Sequence, residues 1–181
     1  MTNIAKTIAT GLFAVALAAF PALAQTSAID YDHTVNFLKF TTYTWQQVHA
    51  TDPSVEARIT LALNRSMHGR YMTEVAKGGD VTITAFEATK DKQEITTFYG
   101  GLGDLAWQRP WSTGFLDAAA TPEDAPLNTL IIDMYNTKTR KLLWRGALTL
   151  SPADAASKDA DQKLDKAATE LIGKYPPKYK K

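Results

Sequence analysis

The chain has 181 residues, no cysteine, and a near balance of 20 basic and 19 acidic residues. The missing cysteine excludes disulfides, thiolate metal sites, a cysteine nucleophile and a lipid-modified N-terminal cysteine. The balanced charge gives no case for nucleic-acid binding, which needs a basic footprint on the protein surface.

The first 24 residues have the pattern of a secretory signal peptide. Lys6 is the only charge before Asp30, residues 8–20 are apolar, and small residues precede the expected cleavage point between Ala24 and Gln25. The apolar run is too short for a membrane-spanning helix of about 20 residues, although an uncleaved anchor remains the alternative.

Removal of 24 residues from 181 leaves a mature chain that fits one domain, residues 25–181. We expect this domain to be a soluble periplasmic protein with no stable membrane insertion after processing.

Two strands and a helix are predicted before residue 70. Residues 29–47 are aromatic, rich in threonine and free of glycine and proline, which predicts two short strands with a kink near Asn36. A helix follows, with Asp52 as the N-cap, Pro53 in the first helical position and Gly69 as the stop. Apolar residues recur at helical spacing between these limits.

The middle of the chain predicts strands and then a long loop. Residues 81–89 and 93–99 each have the composition of a strand, and we expect the two to form a hairpin. Residues 100–126 contain four glycines and three prolines, which predicts an irregular loop. Loops of this length in compact domains tend to be functional or disordered.

The most regular pattern predicts a β-hairpin over residues 127–150, with a polar turn at residues 136–140. We expect one side of the hairpin to carry the large apolar side chains, namely Leu130, Ile132, Met134, Leu142, Trp144 and Leu148. The same register places Asp133 beside Arg145 on the other side, as a surface ion pair or, alternatively, a charged recognition spot. Gly146 indicates a bulge or a close backbone approach.

A second amphipathic helix is predicted after the hairpin. Ser151 and Pro152 are suited to its start, Leu164, Ala168, Leu171 and Tyr175 share one face, and two prolines end it. The basic residues from Lys174 onwards are expected to form a solvated tail, with weak attraction to an anionic membrane surface as the alternative. The elements together predict an α+β fold, a mostly antiparallel sheet of five to six strands with two helices packed on one face.

Short motifs distributed over nearly all of the mature chain suggest a family. They are Asp30-Tyr31-Asp32, Thr42-Tyr43-Thr44-Trp45, Gly79-Asp80-Val81-Thr82-Ile83, Leu142-Leu143-Trp144-Arg145-Gly146 and Tyr175-Pro176-Pro177. In these the sequence resembles a bacterial envelope family known only as domain-of-unknown-function family 4136, whose members are mostly assigned as lipoproteins. The resemblance implies a Gram-negative envelope address and an α+β fold, but no known activity and no catalytic residue. The chain departs from the family pattern because it lacks the acylated cysteine, which favours the free periplasm.

Two polar segments are weak candidate sites. Asp30, Asp32 and His33 offer metal ligands, but on a strand the two carboxylates share a face while the imidazole points away, so a structural role competes with a divalent-cation site. The glycine-rich segment 100–104 lacks the lysine and hydroxyl of a phosphate-binding loop, which favours a flexible turn.

The loop residues Trp107, Arg109 and Trp111 are the candidate partner-binding site. Tryptophan and arginine are enriched at binding hot spots, and a loop that exposes two tryptophans needs a partner or folds back over the core. An envelope protein, a peptide or a glycan is the kind of partner we expect.

No nucleophile motif is present, and the three histidines are scattered without an obvious acid partner. We therefore expect neither an enzyme nor a bound cofactor or metal. The leading hypothesis is a non-enzymatic, exported binding or interaction module of the bacterial envelope. The alternative is a small-molecule or cation carrier with a pocket between the sheet and the 100–126 loop, and a hydrolase is the third hypothesis.

Overall fold

The computed structural model describes residues 26–88, 92–102, 129–151 and 157–175. The strands are β1 (Thr26–Tyr31), β2 (Thr42–His49), β3 (Thr73–Glu74), β4 (Val81–Glu87), β5 (Thr129–Asn136) and β6 (Leu142–Thr149). The helices are α1 (Pro53–His68), α2 (Lys92–Gly101) and α3 (Ala160–Ile172), and a short 3-10 turn covers Phe37–Lys39.

The six strands form one mixed sheet in the order β1-β6-β5-β4-β2-β3. The pairs β1–β6, β6–β5 and β5–β4 are antiparallel, whereas β2 is parallel to both β4 and β3. The parallel pairs follow from the path of the chain, because α1 crosses between β2 and the two strands that come after it. The predicted α+β class and strand number are confirmed, and the parallel pairing is an added detail.

The beginning of the chain follows the sequence prediction closely. A 3-10 turn capped by the Asn36 side chain separates β1 from β2, which is the expected kink. The Asp52 carboxylate accepts a hydrogen bond from the Ser54 amide at the start of α1, and Gly69 caps its end. The Tyr43 hydroxyl and the Trp45 indole both donate to the Asn64 side-chain oxygen, so strand and helix are joined by hydrogen bonds as well as by packing.

Helices α1 and α3 cover one face of the sheet and enclose the main apolar core. The core is centred on Trp144, which is fully buried, and on Leu63 and Leu171 from the two helices. Gly146 lies beneath the Trp144 indole, where a Cβ atom would clash with the ring. The predicted close approach at Gly146 is therefore confirmed.

The C-terminal helix begins later than predicted. Its N-cap position is Asp159, not Ser151, and its last residue is Ile172. The apolar face is nevertheless as expected, and Tyr175, just beyond the helix, packs edge-on against Phe37 and Trp144. Lys174 is not part of a free tail, because its ammonium group donates to the Ser27 carbonyl and hydroxyl.

The predicted second hairpin is wrong, because residues 93–99 lie in helix α2 and not in a strand. Phe98 and Leu102, four residues apart, bury their side chains against Phe86 on β4 and Tyr135 on β5. Residues four apart lie on the same side of a helix, so the helical conformation lets both side chains reach this cluster. The burial outweighs the strand preference of the local threonine-rich sequence. Helix α2 lies on the opposite sheet face from α1 and α3, because Phe86 and Tyr135 point away from the main core.

The predicted facing of Leu142 is also wrong. Met134 pairs with Trp144, but Tyr135 pairs with Leu142, so Leu143 is an extra residue in β6. The irregularity turns Leu142 towards α2 and leaves Leu143 in the main core. A β-bulge of this kind reverses the side-chain alternation on one strand only.

Candidate functional site

Asp133 on β5 and Arg145 on β6 are directly paired across the sheet, on the face covered by α2. The Arg145 Nε donates to Asp133 Oδ1 at 2.5 Å, and Nη2 donates to Oδ2 at 2.6 Å. Asp133 is 1% exposed and Arg145 7%. The ion pair was expected at the surface, and that prediction is wrong because both faces of the hairpin are covered. A bidentate pair of this geometry is among the strongest polar contacts available to a protein.

Two tyrosines complete the environment of the Asp133 carboxylate. The hydroxyls of Tyr99, on α2, and Tyr135, on β5, each donate to Asp133 Oδ2 at 3.2 Å. The Arg145 guanidinium also lies 6.0 Å from the centre of the Tyr99 ring. We refer to Tyr99, Asp133, Tyr135 and Arg145 as the buried ionic cluster.

The electrostatics of this cluster keep its two tyrosines and its arginine protonated. Burial, followed by the negative charge of Asp133, raises the pKa of Tyr99 and of Tyr135, so both phenols remain protonated donors at neutral pH. Burial by itself would lower the pKa of Arg145, but the attraction of Asp133 outweighs it and the pKa is raised. The guanidinium therefore stays charged.

Asp30 extends the same row to the neighbouring strand, because β1 places it opposite Arg145. Its Oδ1 accepts a hydrogen bond from the Tyr31 amide, whereas its Oδ2 is buried without a hydrogen-bond partner. Asp32 is the second carboxylate of the predicted cation site, and its Oδ1 accepts hydrogen bonds from the amide and the hydroxyl of Thr34. Within the described ranges, no three histidine or acidic side chains are grouped in a way that could hold a metal ion.

An open cleft of about 330 Å³ lies beside the cluster, between the end of β2 and helix α2. Five of its lining side chains carry polar groups and the other is a phenyl ring; the lining comprises Gln47, His49, Gln93, Glu94, Thr97 and Phe98. The His49 imidazole stacks on the Phe86 ring at 5.5 Å, and its Nδ1 lies 3.7 Å from a Glu56 carboxylate oxygen. His49 thus has the acid neighbour that the sequence did not indicate.

Sequence reasoning missed both the cleft and the burial of the ionic cluster for one reason. Helix α2 supplies Tyr99 to the cluster and Phe98 to the cleft, whereas the sequence pattern predicts a strand over residues 93–99. One signal was available: β5 and β6 are almost continuously apolar, which is typical of strands covered on both faces.

Several predicted positions lie outside the described residues. They are the candidate partner-binding residues Trp107, Arg109 and Trp111, residues 103–126 of the loop predicted to form the carrier pocket, and the cleavage position at Ala24 and Gln25. The start of that predicted loop is wrong, because Gly100 and Gly101 belong to helix α2. Among the residues that the structure describes, no helix has the length and apolar character needed to cross a membrane.

The fold and the site define a small α+β domain whose mixed sheet carries helices on both faces. The family model for DUF4136, a domain of unknown function, matches residues 27–177, and the chain belongs to that family. The resemblance noted from the short motifs is therefore confirmed. A search of curated proteins finds no match.

Two solved structures show the same fold. One is a DUF4136 family protein from Bacteroides thetaiotaomicron, with a TM-score of 0.55 and 15% identity, covering 84% of this chain and 96% of that one. The other is a PDZ domain protein from Parabacteroides distasonis, with a TM-score of 0.52 and 15% identity, covering 86% of this chain and 37% of that one. At this identity the likeness concerns the fold alone.

Proposed function

We propose that this protein is an exported, non-enzymatic module of the bacterial envelope that binds a peptide or a glycan through the cleft between β2 and α2. The observation that carries the proposal is the arrangement of the polar groups on the α2 face of the sheet. Asp133 and Arg145 are bonded to each other beneath α2, and a row of hydrogen-bonding side chains with one phenyl ring lines a cleft that is open to solvent.

The buried ionic cluster is suited to hold the site in place and poorly suited to catalysis. Asp133 accepts hydrogen bonds from Arg145, Tyr99 and Tyr135, so its oxygens are already occupied. The raised pKa values of the two tyrosines keep them from acting as bases near neutral pH. The cluster therefore supports a rigid platform under α2.

The cleft offers the chemistry of reversible binding. The amides of Gln47 and Gln93 and the hydroxyl of Thr97 are neutral hydrogen-bonding groups, and Phe98 provides an aromatic surface beside them. Binding sites commonly combine apolar area with a few polar groups that fix the orientation of a ligand. Because the cleft is open and not enclosed, it fits a segment of a larger chain better than a small molecule that must be surrounded.

Nuclear magnetic resonance spectroscopy can test this proposal directly. The isotopically labelled protein would be titrated with soluble peptidoglycan fragments and with short envelope-derived peptides. We expect amide shifts concentrated at Gln47, Gln93 and Thr97. Thr97→Arg, which fills the cleft, should abolish them, whereas the matched variant Gln162→Arg on the exposed side of α3 should not. Shifts that avoid the cleft, or that survive Thr97→Arg, would contradict the proposal.

Export is tested separately. Residues 1–30 fused to alkaline phosphatase should produce active enzyme in the periplasm, and the N-terminus of the processed protein should be Gln25. An inactive cytoplasmic fusion would remove the envelope address without affecting the cleft.

A further inference from the structure

Three loops meet at one end of the sheet, and Asp80 joins them. The Asp80 carboxylate accepts hydrogen bonds from the amides of Thr41 and Thr42, both at 3.0 Å, and its carbonyl accepts one from the Thr137 amide at 3.1 Å. The Thr73 amide donates to the Thr41 carbonyl at 2.9 Å, which adds the segment after α1. We call the surface formed by loops 32–41, 69–80 and 137–141 the basic end.

The name reflects an excess of positive charge on an otherwise balanced chain. The three loops contain six basic and three acidic residues. Five of the basic side chains are exposed, namely Lys39, Lys77, Lys138, Arg140 and Lys141. Of the acidic groups, Asp80 is committed to the threonines described above, and Glu74 accepts a hydrogen bond from Asn64.

Large apolar side chains stand among these cations. Tyr71 is 92% exposed and Leu38 is 70% exposed, and only Leu61, at 55% on α1, is comparable among the described residues. Leu38 lies three residues before Thr41, and Tyr71 lies two residues before Thr73, which bonds to Thr41. The hydrogen-bonded network therefore brings the two apolar side chains to the same end of the sheet.

The backbone adds an independent observation. Tyr71, with φ of 60°, and Arg140, with φ of 59°, are the non-glycine residues at positive φ in the described part of the chain. This conformation favours glycine or asparagine, and a bulky side chain there is strained. Both strained positions present an exposed side chain at the basic end, and backbone strain tends to persist where a function requires it.

We propose that the basic end is a docking surface for a bilayer that contains anionic phospholipid. The lysines and Arg140 would lie against the lipid phosphates, while Tyr71 and Leu38 would enter the interfacial layer, where a tyrosine ring is favoured. Isolated apolar side chains among cations match a bilayer, which offers charge and hydrocarbon together. A soluble polyanion offers charge alone.

The orientation has a consequence for the cleft. Strand β2 begins at the basic end with Thr42 and finishes at the cleft with His49. A protein docked through the basic end would therefore hold the cleft away from the bilayer, open to the surrounding compartment. The docking surface does not depend on the function proposed for the cleft.

Co-sedimentation with vesicles tests the proposal, comparing phosphatidylcholine vesicles with vesicles that also contain phosphatidylglycerol. We expect binding to the anionic vesicles only, and its loss as salt rises from about 0.05 M to about 0.5 M. Each basic side chain near an anionic surface contributes roughly a fivefold change in partitioning. Lys138→Gln/Lys141→Gln should thus weaken binding about 25-fold.

The matched control is Lys158→Gln/Lys166→Gln, which removes the same charge from exposed positions away from the basic end. Binding that falls equally in both double variants reports net charge, and it would overturn the proposal. Arg140→Gly should weaken binding about fivefold while leaving the unfolding midpoint unchanged or higher, because glycine accepts the positive φ.

The apolar contribution needs its own comparison. Leu38→Ser/Tyr71→Ser should weaken vesicle binding at least tenfold and leave binding of soluble polyphosphate unchanged. If polyphosphate binds as tightly as the anionic vesicles and the serine variant has no effect, the surface recognises charge only and the bilayer proposal fails.

Discussion

The two faces of the sheet are built on different physical terms. The face under α1 and α3 is a continuous apolar core around Trp144, and two exposed ion pairs, Arg58–Asp161 and Arg65–Asp165, join the two helices at its outer rim. The face under α2 carries a smaller apolar cluster beside a buried, bidentate ion pair. One face is stabilised mainly by area removed from water, and the other depends on the mutual hydrogen bonds of the buried Asp133 and Arg145.

The two faces should therefore respond differently to substitutions. An apolar core relaxes partially around a deleted side chain, so its loss scales with the cavity that remains. A buried ion pair does not relax in this way, because removing one partner leaves a charge in a medium that solvates it poorly.

Asp133→Ala should lower the free energy of unfolding by about 3–5 kcal/mol, because the buried Arg145 guanidinium loses its partner. Urea denaturation measures the loss. The double variant Asp133→Leu/Arg145→Met should recover most of it, since no charge remains unpaired. The matched control is Asp165→Ala, which breaks the exposed pair with Arg65 and should cost no more than about 1 kcal/mol. Equal effects of the two alanine variants would show that burial of the pair is unimportant.

Leu171→Ala should lower the free energy of unfolding by about 2–5 kcal/mol, because the Leu171 side chain is fully buried between α3 and the sheet. Leu61→Ala on the exposed side of α1 removes the same atoms and should change stability by less than about 0.5 kcal/mol. The difference between the two midpoints measures the apolar term on this face. A Leu171 variant as stable as the Leu61 variant would place α3 elsewhere.

Gly146→Ala should lower the free energy of unfolding by about 1–3 kcal/mol, because the added methyl group clashes with the Trp144 indole. Gly100, near the end of α2, has open space at its Cβ position, and Gly100→Ala should be neutral or stabilising by up to about 1 kcal/mol. Thermal unfolding of the pair separates a steric effect from the general cost of replacing glycine. Near-ultraviolet circular dichroism should change only for Gly146→Ala, since only that variant displaces a tryptophan.

Asp80→Asn should lower the free energy of unfolding by about 1–2 kcal/mol, because a neutral side-chain amide replaces a carboxylate that accepts several hydrogen bonds. The hydrogen bond from the Thr41 amide lowers the pKa of Asp80 below its usual value. Burial opposes this shift, and the further hydrogen bonds from Thr42 and from the Thr41 hydroxyl reinforce it. A depressed pKa means that this contribution is present above about pH 4 and is lost as the pH falls through the pKa of the folded state. Acid denaturation should therefore depend less steeply on pH in Asp80→Asn, and an unchanged profile would contradict this role.

The sequence pattern predicts the sheet face under α1 and α3 correctly, but it does not predict that α2 covers the other face. The alternation in β5 places Ile132 and Met134 in one core because side chains in a strand point alternately to opposite faces. The same alternation put Asp133 on the other side, but it carried no information about what covers that side. The surface ion pair is expected on the premise that solvent covers that face, whereas helix α2 packs on it.

The amino-acid sequence by itself determined the family, the α+β class, helix α1 with its caps, and the apolar stripe of α3. These features depend on local hydrogen bonding and on the period of apolar residues, both of which are written in neighbouring positions. The tertiary structure alone decided that residues 93–99 form a helix, that Leu142 and Leu143 exchange faces, and that Asp133 and Arg145 are buried. Each of those outcomes depends on contacts between segments far apart in the chain, and the energy of such contacts exceeds local preference without leaving a periodic trace.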